Sequence, residues 1–416
     1  MPYPPSGTST PFSVNGRDYS PPARPVVVIC IDGCADQYLD VSLARGRMPN
    51  VGQMTANGYR GLVRGALPSY TNVNNACMVT GAPPSVTGIG GNFFLDPSTG
   101  EEVMMNSPRY LRCGTILAAA ADAGRRVAMV TAKDKLREIL SHGLNGIGFS
   151  AEKADQARED AHGIADVERL VGEPTPKIYS AEASVFVLRA GVALIRGGLT
   201  DFLYLSTTDY MQHKFDPYAE ASLQFYESLD REVGRLLELG ALVVLTADHG
   251  MNAKNGPGGG PNVLYLQSML TAQFGADIRV ILPITDPYVV HHGALGSLAM
   301  VHLADGVAAG KVQSWLMAQP GITEVHDRQT AAVKMELPED RIGDLVVLSG
   351  RDVVLGRTPD YHDLSLLEGG LRSHGGRYEQ MVPLLVSEPL NDIHAAKAAA
   401  DPRNFDAFDF ACNGVG

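Results

Sequence analysis

The chain has 416 residues, 45% of them hydrophobic, enough for one large domain or two ordinary ones with a full core. Its formal charge of −12 argues against a nucleic-acid or anionic-membrane surface, but not against a small anionic substrate, which meets only the local field of its pocket. No apolar run reaches the length of a membrane span, the N-terminus lacks the basic-then-apolar pattern of a secretory signal, and five scattered cysteines fit reduced thiols, so a cytoplasmic location is expected.

Residues 1–24, rich in Pro, Ser and Gly, read as an extended arm. Val26 to Ile31 is a continuous apolar run, as a central parallel strand requires, and Asp32-Gly33 ends it. Cys30 and Cys34 resemble half a zinc finger, but no second pair follows, so Cys30 is assigned to the core. Residues 49–57 predict a short helix stopped by Gly58. Leu67 to Phe94, crowded with Thr, Asn, Gly and Pro, reads as a long loop, and long loops in compact domains are usually functional.

Strands and helices then alternate. Helices are predicted over 115–123, 151–171, 182–196 and 217–239, and strands over 127–130, 202–205 and 242–245. That rhythm predicts an α/β protein with a doubly wound, mostly parallel sheet, in which ligands gather at the carboxyl ends of the strands. Asp32, Lys133, Asp209 and Asp248 all follow such ends. After Pro261 the rhythm changes, and residues 266–366 are expected to form a smaller α/β cap inserted into a core of 25–265 and 367–416. Strands are expected at Val280-Ile281-Leu282 and Leu345 to Leu348 inside it. The chain returns at Arg372-Ser373-His374-Gly375-Gly376 and the apolar MVPLLV, and its last 25 or so residues read as a loosely held tail.

Asp248-His249 at the mouth of a buried strand is costly unless something neutralises it. Neighbouring side chains of an extended segment point to opposite sides, so the pair is able to face two different ions. Asp209 and His213, four apart, share one face of a helical turn. With Asp32 and His374 these make six candidate ligands, more than one tetrahedral site takes and enough for two. Mixed imidazole and carboxylate donors suit Zn²⁺, or alternatively Mn²⁺ or Fe²⁺, and paired metals recur in phosphoryl chemistry. Thr71 is the candidate nucleophile; a threonine here also suits the cap of a following helix, and both roles can hold at once. His291-His292 falls in the expected cap and is assigned to loop structure. His142, His162, His302, His326, His362 and His394 lack partnered spacing and are read as surface or core.

Asp32 in IDG, the SYTN loop, TTDYMQHKFD, TADHGMN and SHGG, in that order, resemble the alkaline phosphatase superfamily, and within it the nucleotide pyrophosphatase/phosphodiesterase-like group. The resemblance implies one zinc ion held by Asp209, His213 and His374, and a second held by Asp32, Asp248 and His249, with Thr71 bridging as nucleophile. A finer resemblance, to the carbon–phosphorus hydrolases of that group, rests on Asn92 and on Lys133-Asp134-Lys135. It implies that Asn92 holds phosphonyl oxygens and that Lys133 and Lys135 hold a substrate carboxylate; otherwise the lysines form an ordinary solvated pair. The implied reaction is hydrolysis of phosphonoacetate to acetate and phosphate, the alternative a nucleotide phosphodiesterase or pyrophosphatase activity. The expected partner is therefore a small anionic phosphonate, with no nucleic acid and no membrane; a homodimer is compatible with the sequence.

Overall fold

In the computed structural model, residues 10–275, 278–285, 292–365, 367 and 370–416 are described. A central sheet of seven strands organises the chain. These are β1 (Val26–Cys30), β2 (Tyr59–Arg64), β3 (Val127–Thr131), β4 (Ile147–Ser150), β5 (Phe202–Ser206), β6 (Leu242–Thr246) and β7 (Met381–Val386). Every residue of β1, β3, β5 and β6 is buried. Runs of Val, Ile, Leu and Met without polar alternation fit a strand covered on both faces. The order across the sheet is β2-β7-β6-β1-β5-β3-β4. Strands β6, β1, β5, β3 and β4 run parallel, and β7 runs antiparallel to both its neighbours. The expected mostly parallel α/β core is met.

Register decides where the chemistry lies. Cys30 pairs with Thr246 and with Ser206, and Ser206 with Thr131. Four strands therefore finish on one line. Asp32, Asp248, Asp209 and Lys133, two or three residues further on, leave the sheet along one edge. A second, antiparallel sheet of four strands is ordered Ile278–Ile281, Leu298–Leu303, Leu345–Ser349, Ile322–Asp327. Among the described residues no helix is long and apolar enough to cross a membrane.

Three expectations are corrected. Within the expected extended arm, Phe12–Val14 and Arg17–Tyr19 form a hairpin. Asn15 and Gly16 both take positive φ, the two-residue turn that an Asn-Gly pair favours. Asn15 Nδ2 donates to the carbonyls of Thr80 and Gly114, which ties the hairpin down. Residues 1–9 lie outside the described residues. The polar helix expected over 151–171 is three short helical pieces, Ala151–Gln156, Glu159–His162 and Val167–Val171. Asp166, with φ 52°, and Gly163, with φ 68°, break the continuity.

The tail is the third correction. Ala407–Asn413 form a helix in which Phe408, Phe410 and Ala411 are fully buried, packed on β6 and β1. Phe408 stacks on Phe202 of β5 at 5.2 Å. The acidic residues at this helix are paired, Asp406 with Arg17 and Lys397, and Asp409 with Lys397. Phe408→Ala should destabilise the protein by about 3–5 kcal/mol, the cost of removing a buried aromatic ring. Urea unfolding measures this; an unchanged midpoint would detach the tail from the core.

Candidate active site

The segment that composition marks as a loop contains a ten-residue helix, α1 (Thr71–Thr80). Asn74 and Asn75 are buried and satisfied by tertiary partners. Asn75 Oδ1 accepts from the Tyr204 hydroxyl at 2.7 Å and from Ser206 Oγ at 2.8 Å, while its Nδ2 donates to Asp248 Oδ2 at 3.2 Å. Thr71 does not cap this helix. It is the first helical residue, and Tyr70, at the cap position, makes no side-chain capping bond. The Thr71 hydroxyl stands at the helix N-terminus, 3.4 Å from His249 Nε2.

All six candidate ligands converge. His249 Nε2 lies 3.2 Å from Asp32 Oδ1 and 3.6 Å from Asp248 Oδ2. His213 Nε2 lies 2.9 Å and His374 Nε2 3.6 Å from Asp209 Oδ2. The donor atoms of Asp32, Asp248 and His249 fall within 4.8 Å of one another, and so do those of Asp209, His249 and His374. His249 thus belongs to both groups, whereas Asp248 and His249, which extended geometry allows to part, share one.

Each imidazole is aimed by its second nitrogen. Nδ1 of His249 bonds to Gly250 O, that of His213 to Arg372 O and that of His374 to Ser69 O, at 2.7–2.9 Å. A carbonyl only accepts, so Nδ1 carries the proton and Nε2 is turned toward the carboxylates, as a metal-ligating histidine is held. The backbone allows this at Gly375, where φ is +116° and a Cβ would stand 2.3 Å from the Tyr70 ring; only glycine fits.

The electrostatics favour a cation here. Asp32 is fully buried, and neither carboxylate oxygen is hydrogen-bonded among the described residues. Burial, then Asp209 and Asp248, push its carboxyl well above the usual range. Burial pulls His249 down, but Asp248, Asp32 and Asp209 outweigh it and hold the ring up at about 10. Burial likewise raises Asp209, yet Lys133 and His213 outweigh it and hold that carboxyl well below the usual range. Three buried carboxylates and three oriented imidazoles form a donor set suited to divalent metal.

A small cavity, about 50 Å³, opens beside the cluster, lined by Thr71, Asn92, Lys133, Lys135, Asp209, His292 and His374 among others. Asn92 Oδ1 accepts the Asn72 N–H at 3.1 Å, which turns Nδ2 outward as a donor. Lys133 Nζ is 3.1 Å from Asp209 Oδ1 and 4.0 Å from Asp32 Oδ2, so it is no solvated surface lysine. His292, assigned from sequence to loop structure, is buried at this cavity and stacks on His213 at 4.9 Å. Burial, then His213, depress its pKa to about 3, so it faces the cavity neutral. Its only sequence signal was the His-His pair; His291 lies outside the described residues.

Residues 26–376 match the family model of type I phosphodiesterase/nucleotide pyrophosphatase. The chain belongs to the type I phosphodiesterase/nucleotide pyrophosphatase family. The finer resemblance is met too. The chain is 46% identical to phosphonoacetate hydrolase from Sinorhizobium meliloti 1021, solved with phosphonoformate and with phosphonoacetate; the match covers 99% of this chain and 100% of that one, with a TM-score of 0.94. Murine ectonucleotide pyrophosphatase/phosphodiesterase 5, at 15% identity over 94% of both chains and a TM-score of 0.62, shares the fold of this phosphodiesterase family member.

Proposed function

We propose that this chain hydrolyses the carbon–phosphorus bond of phosphonoacetate, releasing acetate and phosphate, with two zinc ions per chain. The observation that carries the reading is the meeting of Thr71, Asn92, Lys133 and Lys135 around one small cavity beside six convergent metal donors. The 46% identity to a phosphonoacetate hydrolase across almost the whole chain supports it. Asp209, His213 and His374 would hold one ion, and Asp32, Asp248 and His249 the other. Zinc, when bound, supplies Lewis-acid stabilisation of oxygens at phosphorus and lowers the pKa of a nearby hydroxyl.

The chain's own residues account for the rest. Thr71 gives up its hydroxyl proton to solvent, its Oγ attacks phosphorus in line, the C–P bond breaks, and a phosphothreonine forms. The departing carbon keeps the bonding pair, which spreads into the neighbouring carboxylate as an enolate before taking a proton to give acetate. Lys133 and Lys135 stabilise that charge most strongly as it develops, which is where a contact lowers the barrier. Asn92 Nδ2 donates to a phosphonyl oxygen and fixes the phosphorus. Water then attacks from the opposite side and frees Thr71. The same reading treats residues 266–366 as a cap on the core of 25–265 and 367–416; the four-stranded sheet, whose strands all lie between Ile278 and Ser349, supports it.

The alternative, a nucleotide phosphodiesterase, needs an aromatic or apolar slot for a base. Among the described residues no Phe, Tyr or Trp lines the cavity, its apolar lining is Met104, Leu136 and Ile284, and its volume of about 50 Å³ is small for a nucleotide. The test is a ratio. Lys133→Ala or Lys135→Ala should lower kcat/KM on phosphonoacetate by about tenfold to a hundredfold, the worth of one charge-assisted contact. Hydrolysis of an activated aryl phosphate, which has no such carboxylate, should be nearly indifferent to Lys135→Ala and should fall less than phosphonoacetate hydrolysis in Lys133→Ala, which also removes a partner of Asp209. Parallel losses on both substrates would assign the lysines to the metals or the fold and move the phosphodiesterase reading ahead.

A further inference from the structure

Lys254 and Glu379 form a salt bridge at 2.9 Å with both side chains fully buried. A buried ion pair is weak evidence for stability, because desolvation offsets most of the attraction. Its position gives it another use. Glu379 touches both segments that carry histidine ligands, one through its backbone carbonyl and the other through its side chain.

On one side the Glu379 carbonyl accepts the Gly250 N–H at 2.7 Å. The carbonyl of that same Gly250 holds His249 Nδ1 at 2.9 Å. On the other side Glu379 Oε2 accepts the Gly376 N–H at 3.1 Å. The carbonyl of Gly376 accepts Ser69 Oγ at 3.0 Å, and the carbonyl of Ser69 holds His374 Nδ1 at 2.7 Å. Ser69 stands two residues before Thr71. The remaining oxygen, Oε1, accepts from Asn252 Nδ2 at 2.6 Å and from Lys254 Nζ, which also donates to Arg351 O at 2.6 Å in the loop after Leu345–Ser349.

We infer that the Lys254–Glu379 pair is a positioning clasp that sets the two imidazoles, His249 and His374, and the start of the Thr71 helix at their mutual spacing. The inference rests on the metal reading above. Outer residues that orient metal-ligating histidines typically contribute about tenfold to a hundredfold in metal affinity. A pair retained only for packing would contribute to stability and nothing else.

The two roles separate in the full-length chain carrying Lys254→Met together with Glu379→Met. This replacement exchanges the ion pair for apolar groups of similar volume, which is often neutral for stability. Zinc affinity is read by competition with a chromophoric chelator, and the thermal midpoint is read on the metal-free protein. The expected result is a metal-free midpoint near that of wild type with zinc held about tenfold to a hundredfold more weakly. Glu379→Gln, which keeps the side-chain shape and one acceptor oxygen, is read the same way should the double variant fail to fold, and is also expected to lose zinc affinity. Zinc affinity unchanged in the folded variants overturns this inference alone. A wild-type chain that takes up no zinc overturns the metal reading and this inference with it.

Discussion

Thr71→Ala should lower turnover of phosphonoacetate by on the order of 10⁴-fold or more, the scale seen when a covalent nucleophile is removed, while the protein still holds two zinc ions. Metal retention follows from the donor inventory, since Asp32, Asp209, His213, Asp248, His249 and His374 all remain. The fold should be untouched as well. Thr71 is the first residue of α1 and makes no capping bond, so the helix loses no partner when the hydroxyl goes. Thr71→Ser keeps an oxygen at the same place and should retain a measurable fraction of activity. Rapid quench of the wild type with radiolabelled phosphonoacetate should trap one phosphoryl group per chain on Thr71. An Ala variant with near-wild-type turnover would mean that water attacks phosphorus directly, and the phosphothreonine step would be withdrawn.

What the sequence made legible was whatever depends on local pattern. Asp32, Asp209 and Asp248 each follow an unbroken apolar run, and strands buried on both faces produce such runs, so their place at the carboxyl edge of the sheet was readable. The register that aligns Cys30, Thr246, Ser206 and Thr131 is a tertiary fact, and only the resemblance brought His374 to the same point. Helix α1 was read as loop because Asn and Thr usually signal turns. Here their polarity is absorbed by a hydroxyl from β5 and a carboxylate beyond β6, partners remote in sequence. His292 escaped for the same reason: its chemistry comes from stacking on His213, 79 positions earlier in the chain. The C-terminal helix was read as a loose tail, although Phe408 and Phe410 are buried against the sheet and Asp406 and Asp409 have basic partners. The Lys254–Glu379 contact leaves no periodic trace at all, since 125 positions separate the two residues.

Stripping the metal should abolish turnover and lower the thermal midpoint, and Zn²⁺ added back should restore both. The physical reason lies in the carboxylates. Donor atoms of Asp32 and Asp248 lie within 4.8 Å of each other. Two like charges at about that spacing repel by roughly 3–4 kcal/mol at an effective dielectric near 20. Lys133 compensates Asp209 in part, and His249 answers Asp32 and Asp248 only by taking up a proton. A divalent ion held by Asp32, Asp248 and His249 would remove the repulsion, with His249 as a neutral ligand. An ion present at a thousand times its Kd stabilises the folded state by about 4 kcal/mol, so two ions together should give a readily measured shift. The metal-free chain should nevertheless remain folded, because the central strands are buried among apolar neighbours. Ligand variants then separate the two ions. Asp248→Ala and His213→Ala should each retain close to one zinc per chain by metal analysis, and both should lose turnover. Full activity after thorough chelation would sink the mechanism, and two ions retained in both variants would sink the division of ligands.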